Sequence, residues 1–200
     1  MTDPTMNAFT DVGTFLIQSL ATLYLVIILL RFLLQLCGAD FFNPVSQFAH
    51  RATAPLLLPL RRLFPAWRNF DLASLILALL LQWIAIQVTA SLNGNALINV
   101  FYVLWWGLLG ILSMLINIYI YGLLAAIILS WVAPHNPHPA VSLLWQLMEP
   151  VMAPFRKIVP NLGGLDLSPI LVFLVLNMFR IFVTHAANAA QLPGWAVPGF

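Results

Sequence analysis

Pro55-Leu56-Leu57-Leu58-Pro59-Leu60-Arg61-Arg62-Leu63-Phe64-Pro65, with Asp71-Leu72 downstream, recurs as Pro150-Val151-Met152-Ala153-Pro154-Phe155-Arg156-Lys157-Ile158-Val159-Pro160, with Asp166-Leu167 downstream. Every identity falls ninety-five residues apart, and the register holds without a gap from Pro44/Pro139 to Leu79/Leu174. Three prolines, two adjacent bases and one acid kept in step mark an internal duplication. The fold is therefore expected to be one unit stated twice.

The composition says where that unit lives. Hydrophobic residues make up 62% of the chain and charged residues 7%, against about a quarter charged in a soluble domain. Mean hydropathy is +0.97. Too little polar surface exists to cover such a chain in water, so its outer face is expected to meet lipid, as a polytopic helical membrane protein. The N-terminal stretch has Asp3 and Asp11 but no base, and the apolar run after it is too long for a secretory signal core. The first span is thus expected to be a retained membrane helix. Cys37 is the single cysteine, which excludes an internal disulfide and suits packing at a helix end.

Four apolar segments, near 14–36, 72–92, 97–132 and 167–188, reach the roughly 20 residues a bilayer needs. The third would measure ~54 Å as one helix, and its length alone favours two crossings. Charge argues the other way. Arg51, Arg61, Arg62 and Arg68 fill the first long loop, and Arg156 and Lys157 the second, whereas the tails and the Asn93-Gly94-Asn95 turn hold no Lys or Arg. Basic loops stay cytoplasmic, so an odd number of crossings must separate that turn from the second loop. One crossing satisfies this, with Tyr102, Trp105 and Trp106 in an interfacial or tilted extension of the helix. The expected fold is all-α: four transmembrane helices forming two parallel helix–basic amphipathic loop–helix repeats. Residues 1–13 form an N-terminal tail, 14–92 and 97–188 the repeats, and 189–200 a C-terminal tail.

Within each loop Asn43-Pro44 and His138-Pro139 suit a helix start. Leu56, Leu60, Leu63 and Phe64, and likewise Val151, Phe155, Ile158 and Val159, lie on one helical face. That face predicts a short helix bracketed by Pro55 and Pro65, or by Pro150 and Pro160, lying in the headgroup plane and kinked or restarted at Pro59 and Pro154. Arg61, Arg62, Arg156 and Lys157 are then candidates for binding anionic lipid headgroups or a protein partner; the alternative is that they only fix topology. Asp71 and Asp166 stand where the chain re-enters the membrane. They are candidate helix caps, with the alternative of a cation or proton site facing across the repeats.

Arg31 is close enough to a helix end to snorkel. Arg180 lies deeper, where an unpaired charge costs several kcal/mol (about 3 on insertion scales), so it is expected to be buried against a partner or a wet cavity. Gln82 and Asn177 are repeat equivalents and candidate buried polar residues, as interhelical hydrogen bonds or as a polar lining. Gly122, Ala126 and Ser130 form a small-residue stripe suited to close helix approach, within the chain or to a second copy. His135 and His138 are spaced as H-x-x-H, but the first repeat has no counterpart and the ligand number falls short. No metal site, cofactor or nucleic-acid partner is expected, and the absence of phosphate loops, nucleophile elbows and zinc signatures points away from an enzyme.

The duplicated motif resembles that of the YggT family of bacterial inner-membrane proteins. The resemblance rests on Asn43-Pro44, Pro55, Pro59, Arg61-Arg62, Pro65 and Asp71, then on Pro139, Glu149-Pro150, Pro154, Arg156-Lys157, Pro160, Gly163-Gly164-Leu165-Asp166-Leu167 and Ser168-Pro169. The first copy departs from it with Ala54 in place of the glutamate and Arg68-Asn69 in place of the paired glycines. The resemblance implies a multi-pass bacterial inner-membrane protein, here with cytoplasmic basic loops and both termini periplasmic. It also implies a link to osmotic-stress tolerance and potassium balance, while plastid relatives are linked to haem attachment and to nucleoid or division roles. Two functions stay open at this point. One is ion homeostasis, through a small transporter or channel modulator. The other is a non-transporting scaffold or assembly factor that binds lipid, a membrane-protein partner or another copy of itself.

Overall fold

The computed structural model describes residues 4–133, 137–158, 166–194 and 196–199, with side chains from residue 8 onward. Among them are six helices: α1 (Pro4–Leu36), α2 (Pro44–Leu63), α3 (Leu72–Leu92), α4 (Val100–Val132), α5 (Pro139–Arg156) and α6 (Ser168–Ala189). Four are long and apolar enough to cross a membrane: α3, α4, α6 and Ala8–Leu36 of α1. The long third segment is one helix, as the charge argument requires. The first begins ten residues earlier than the expected span, with residues 4–13 continuing it in place of a tail.

α1 packs on α3, α3 on α4 and α4 on α6, so the spanning helices stand in a row with α1 and α6 at its ends. Close approach of α1 and α3 is helped by small residues: Ala73 and Ala78 of α3 are buried in one cluster with Leu25, Ile28 and Leu29 of α1. The stripe from Gly122 to Ser130 serves the fold internally. A side chain at Gly122 would strike Met148 of α5, 2.7 Å away.

Each amphipathic segment differs from its expected form. α2 is a continuous helix of 20 residues with Pro55 and Pro59 inside it, and α5 one of 18 with Pro150 and Pro154 inside it. Continuity is tolerable because Arg51, Pro55 and Pro59 share one exposed edge. The carbonyls that lose their donors, those of Arg51 and Pro55, therefore lie on the outer side of the helix. Both starts are capped as expected: Asn43 Oδ1 accepts from Val45 N at 3.0 Å, and His138 Nδ1 from Ala140 N at 3.2 Å. The face formed by Leu56 and Leu63 points outward, and the inward face carries Ser46, Ala49, Thr53 and Leu57. The two segments meet where Asn43 Nδ2 donates to Pro139 O at 2.7 Å and Asp40 N to Gln146 Oε1 at 2.8 Å. That contact places both motifs at one end of the row, hereafter the basic end.

At the far end the C-terminal residues are not a free tail. Ala196 and Val197 are buried against Ile86, Val103 and Trp106. Trp106 Nε1 donates to Ala190 O at 3.0 Å, and Gln82 Nε2 to Pro198 O at 3.2 Å. Trp106 is thus an internal anchor for this segment, and only Tyr102 and Trp105 of that aromatic trio are exposed. Gln82 lies midway along α3, so the chain folds back into the bundle to half its depth.

Candidate functional site

The basic end is built by how α1 stops. Gly38, at φ 64°, lets Ala39 N reach back to Leu34 O and Gly38 N to Gln35 O. The chain then reverses and α2 returns along α1. This brings Arg31 under α2, where its Nη1 donates to Thr53 Oγ1 at 2.6 Å and to His50 O at 3.2 Å. Arg31 does not snorkel; it is buried, and its hydrogen bonds go to neutral acceptors.

After α2, a tight turn pairs Trp67 and Phe70 through both backbone hydrogen bonds at 3.0 Å, with Arg68 at φ 53°. The second repeat carries Gly163-Gly164 where this turn has Arg68-Asn69. Phe70 packs edge-on against Phe32, ring centroids 5.6 Å apart, and the turn delivers Asp71 to Arg61. Arg61 Nη2 and Asp71 Oδ2 are 2.5 Å apart, with the Asp71 side chain fully buried. Arg61 Nη2 also donates to Gln35 Oε1 at 2.6 Å, and Ser74 Oγ to Asp71 Oδ2 at 2.7 Å.

Asp71 is therefore not an amide cap in the expected sense; its carboxylate accepts the Ser74 hydroxyl and no backbone amide of the first turn of α3. Burial pushes its carboxyl up. Hydrogen bonds from Arg61 and Ser74, with the charges of Arg61 and Arg31, outweigh that and hold it below the ordinary range. His50 is pushed down, by burial first and then by Arg31 and Arg61, so it is neutral at pH 7.

The second repeat keeps the pair in looser form. Arg156 Nε lies 3.1 Å from Asp166 Oδ2 and its Nη1 2.6 Å from Glu149 Oε2, with all three side chains more than a third exposed. Asp166, one residue before the N-cap Leu167, does accept a helix-start amide, Ser168 N at 2.9 Å. Partial burial pushes Asp166 up, but the Ser168 and Arg156 hydrogen bonds bring it below the ordinary value. Each acid is held by the arginine of its own repeat, so the two do not form a shared site. Arg62 and Lys157 are exposed and without an ion-pair partner among the described residues.

Two cavities of about 390 Å³ flank these pairs, and they are repeat equivalents. The first is lined by Arg31, Gln35, His50 and Arg61, the second by Ala126, Ser130, Trp145 and Arg156 at the positions ninety-five residues on. The first is the more polar, with two guanidinium groups on its wall and the single carboxylate of Asp71 behind Arg61. The second is mainly apolar, with Leu123, Ile127 and Trp131 added to its wall beside the Arg156–Asp166 pair. Ser46 Oγ, which lines the first cavity, and Arg61 Nε are buried without a hydrogen-bond partner.

The remaining sequence candidates lie elsewhere. Gln82 is buried and bonded to the C-terminal segment. Its equivalent Asn177 is half-buried and donates to Phe173 O of its own helix at 2.8 Å. Arg180 is not buried: it lies on an exposed face of α6 beside Phe179 and Ile181, because α6, unlike α3, has helix neighbours on one side only. His135 lies outside the described residues, as do Val159, Pro160 and Gly163-Gly164-Leu165. Among the described residues no cluster could hold a metal ion.

Both repeats match one family profile, CCB3/YggT, over residues 10–92 and again over 105–187. The chain belongs to the CCB3/YggT family. It is similar to an uncharacterised protein of Pseudomonas aeruginosa, at 45% identity over 94% of this chain and 95% of that one. It is also similar to the uncharacterised YggT of Escherichia coli K12, at 36% identity over 90% and 95%. A chloroplast YlmG homologue of Arabidopsis thaliana is 48% identical over 64 residues, 32% of this chain and 25% of that protein. No solved structure matches the chain. Within this CCB3/YggT chain, sequence reasoning missed the inward turn of Arg31 and the paired cavities. Extending the repeat register upstream of Pro44, where Arg31 aligns with Ala126 and Gln35 with Ser130, carries the signal for both.

Proposed function

We propose that this protein is a non-transporting inner-membrane scaffold that binds a phosphate-bearing anion, the headgroup of an anionic lipid, in the first repeat's cavity. The carrying observation is the charge count there: Arg31 and Arg61 face one carboxylate, Asp71, which Arg61 already occupies. Ser46 Oγ and Arg61 Nε lack partners and can donate to phosphate oxygens. The mainly apolar second cavity suits an acyl chain. In this reading both basic loops are cytoplasmic and both termini periplasmic. Any part in osmotic tolerance or ion balance then runs through lipid or a bound protein partner.

The test is native mass spectrometry of protein purified with its lipids, alongside titration with short-chain phosphatidylglycerol, phosphatidylcholine and inorganic phosphate. Retention of phosphatidylglycerol over phosphatidylcholine, lost in Arg31→Gln, is expected. Saturation by inorganic phosphate alone would reassign the cavity to a free anion. A bound phosphate should also raise the His50 pKa, read by NMR, because it offsets the two arginine charges. Equal retention of both lipids, unaffected by Arg31→Gln, would overturn the proposal.

An ion-homeostasis role through direct flux is the second reading, favoured by Asp71 Oδ1, which is buried without a partner. Potassium or proton flux in reconstituted vesicles, abolished by Asp71→Asn, would select it.

A further inference from the structure

The duplication has an unfinished interface. Within the chain α3 packs on α4 through Leu79 and Gln82 against Gly107 and Gly110, and through Ile86 against Val103 and Trp106. Ninety-five residues on, the equivalents of the α3 face are Leu174, Asn177 and Ile181, on the exposed side of α6. Ninety-five residues back, the equivalents of the α4 face are Ala8, Asp11, Val12 and Phe15, on the exposed side of α1. The two ends of the row are thus copies of the two halves of an interface the chain already makes.

Lipid alone could cover apolar faces, but these carry opposite charges. Arg180 stands at the position of Ala85 and Asp11 at that of Trp106. Trp106 packs with Ile86, the neighbour of Ala85, so in the same register Arg180 comes level with Asp11. Both are exposed, both lie within spanning helices, and neither has an ion-pair partner among the described residues. An intramembrane arginine on a helix surface calls for a partner.

We propose that α6 of one copy docks on α1 of a second copy, in the register of α3 on α4, with Arg180 paired to Asp11 across the contact. Such contacts are head-to-tail, and about an axis normal to the membrane they close into a ring of whole copies. Val12 and Phe15 replace Gly107 and Gly110, so the helices stand further apart than within the chain.

The test uses full-length protein in native membranes with Cys37→Ser. Gln82 and Gly107 are in contact in the template, so Val12→Cys with Asn177→Cys should form an intermolecular disulfide on oxidation. Val12→Cys with Phe179→Cys should not, because its repeat equivalent, Ile84, is exposed. In the cross-linking background Arg180→Asp or Asp11→Arg alone should cut the linked fraction at least tenfold, and the two together should restore it to at least half. Absence of the disulfide with native charges, equal linking by the control pair, or no recovery in the double exchange would each overturn the proposal.

Discussion

The same arginine–aspartate pair occurs twice, and its worth differs between the copies. Asp71 is sealed, so Asp71→Asn leaves Arg61 facing a neutral partner in a poorly hydrated site, at a cost of about 3 kcal/mol. Asp166 shares an exposed arginine with Glu149, and Asp166→Asn should cost under about 1 kcal/mol. Detergent-mixture unfolding curves of the two variants check the asymmetry. pH dependence follows from the same geometry. The Asp71 carboxyl is held below its ordinary value, so its contribution is complete above about pH 5 and is lost as pH falls through the folded-state value. Unfolding midpoints should hold between about pH 7 and 5 and drop below about 4, and Asp71→Asn should flatten that drop. At Arg68 a positive φ sits on a residue with a side chain, a conformation that only glycine adopts at no steric cost.

At the scale of elements, the C-terminal segment depends on one missing side chain. A Cβ at Gly110 would overlap the Val197 side chain and come 2.8 Å from the Gln82 amide. Gly110→Ala should therefore displace residues 196–198, at about 1–3 kcal/mol of overpacking. Faster hydrogen exchange at Ala196 and Val197, with α1 and α2 unchanged, is the expected readout. Unaltered protection there would show that the segment docks without Gln82 and Gly110. The amphipathic helices show where sequence reading stops at this scale. Their starts at Pro44 and Pro139 are readable because a cap and a proline are local signals. Their passage through Pro55 and Pro150 is not, because a proline's effect depends on whether the carbonyl it orphans faces inward or outward.

For the whole molecule, the four crossings and the repeat were legible because a bilayer demands length and apolarity, and duplication leaves a fixed offset. Parity decided α4, since two crossings would have put Arg156 and Lys157 on the opposite side from Arg61 and Arg62. Arg31 escaped because its acceptors lie nineteen or more residues along the chain and depend on the path of α2. The C-terminal insertion escaped because Ala196 and Val197 look like any mild apolar tail. The proposed orientation makes a direct expectation: with Cys37→Ser, single cysteines replacing Arg62 and Lys157 should react with an impermeant maleimide only in inverted vesicles. One replacing Asn95 should react only in right-side-out cells or spheroplasts, and labelling of Arg62→Cys and Lys157→Cys from opposite sides would refute it.

Pro198 docking on Gln82 also orders the birth of the molecule. Residues 196–199 leave the ribosome after all four spanning helices, so the cleft beside α3 and α4 stays unfilled until they have emerged. A nascent protein stalled after α6 would keep Gln82 and Gly110 uncovered inside the bilayer.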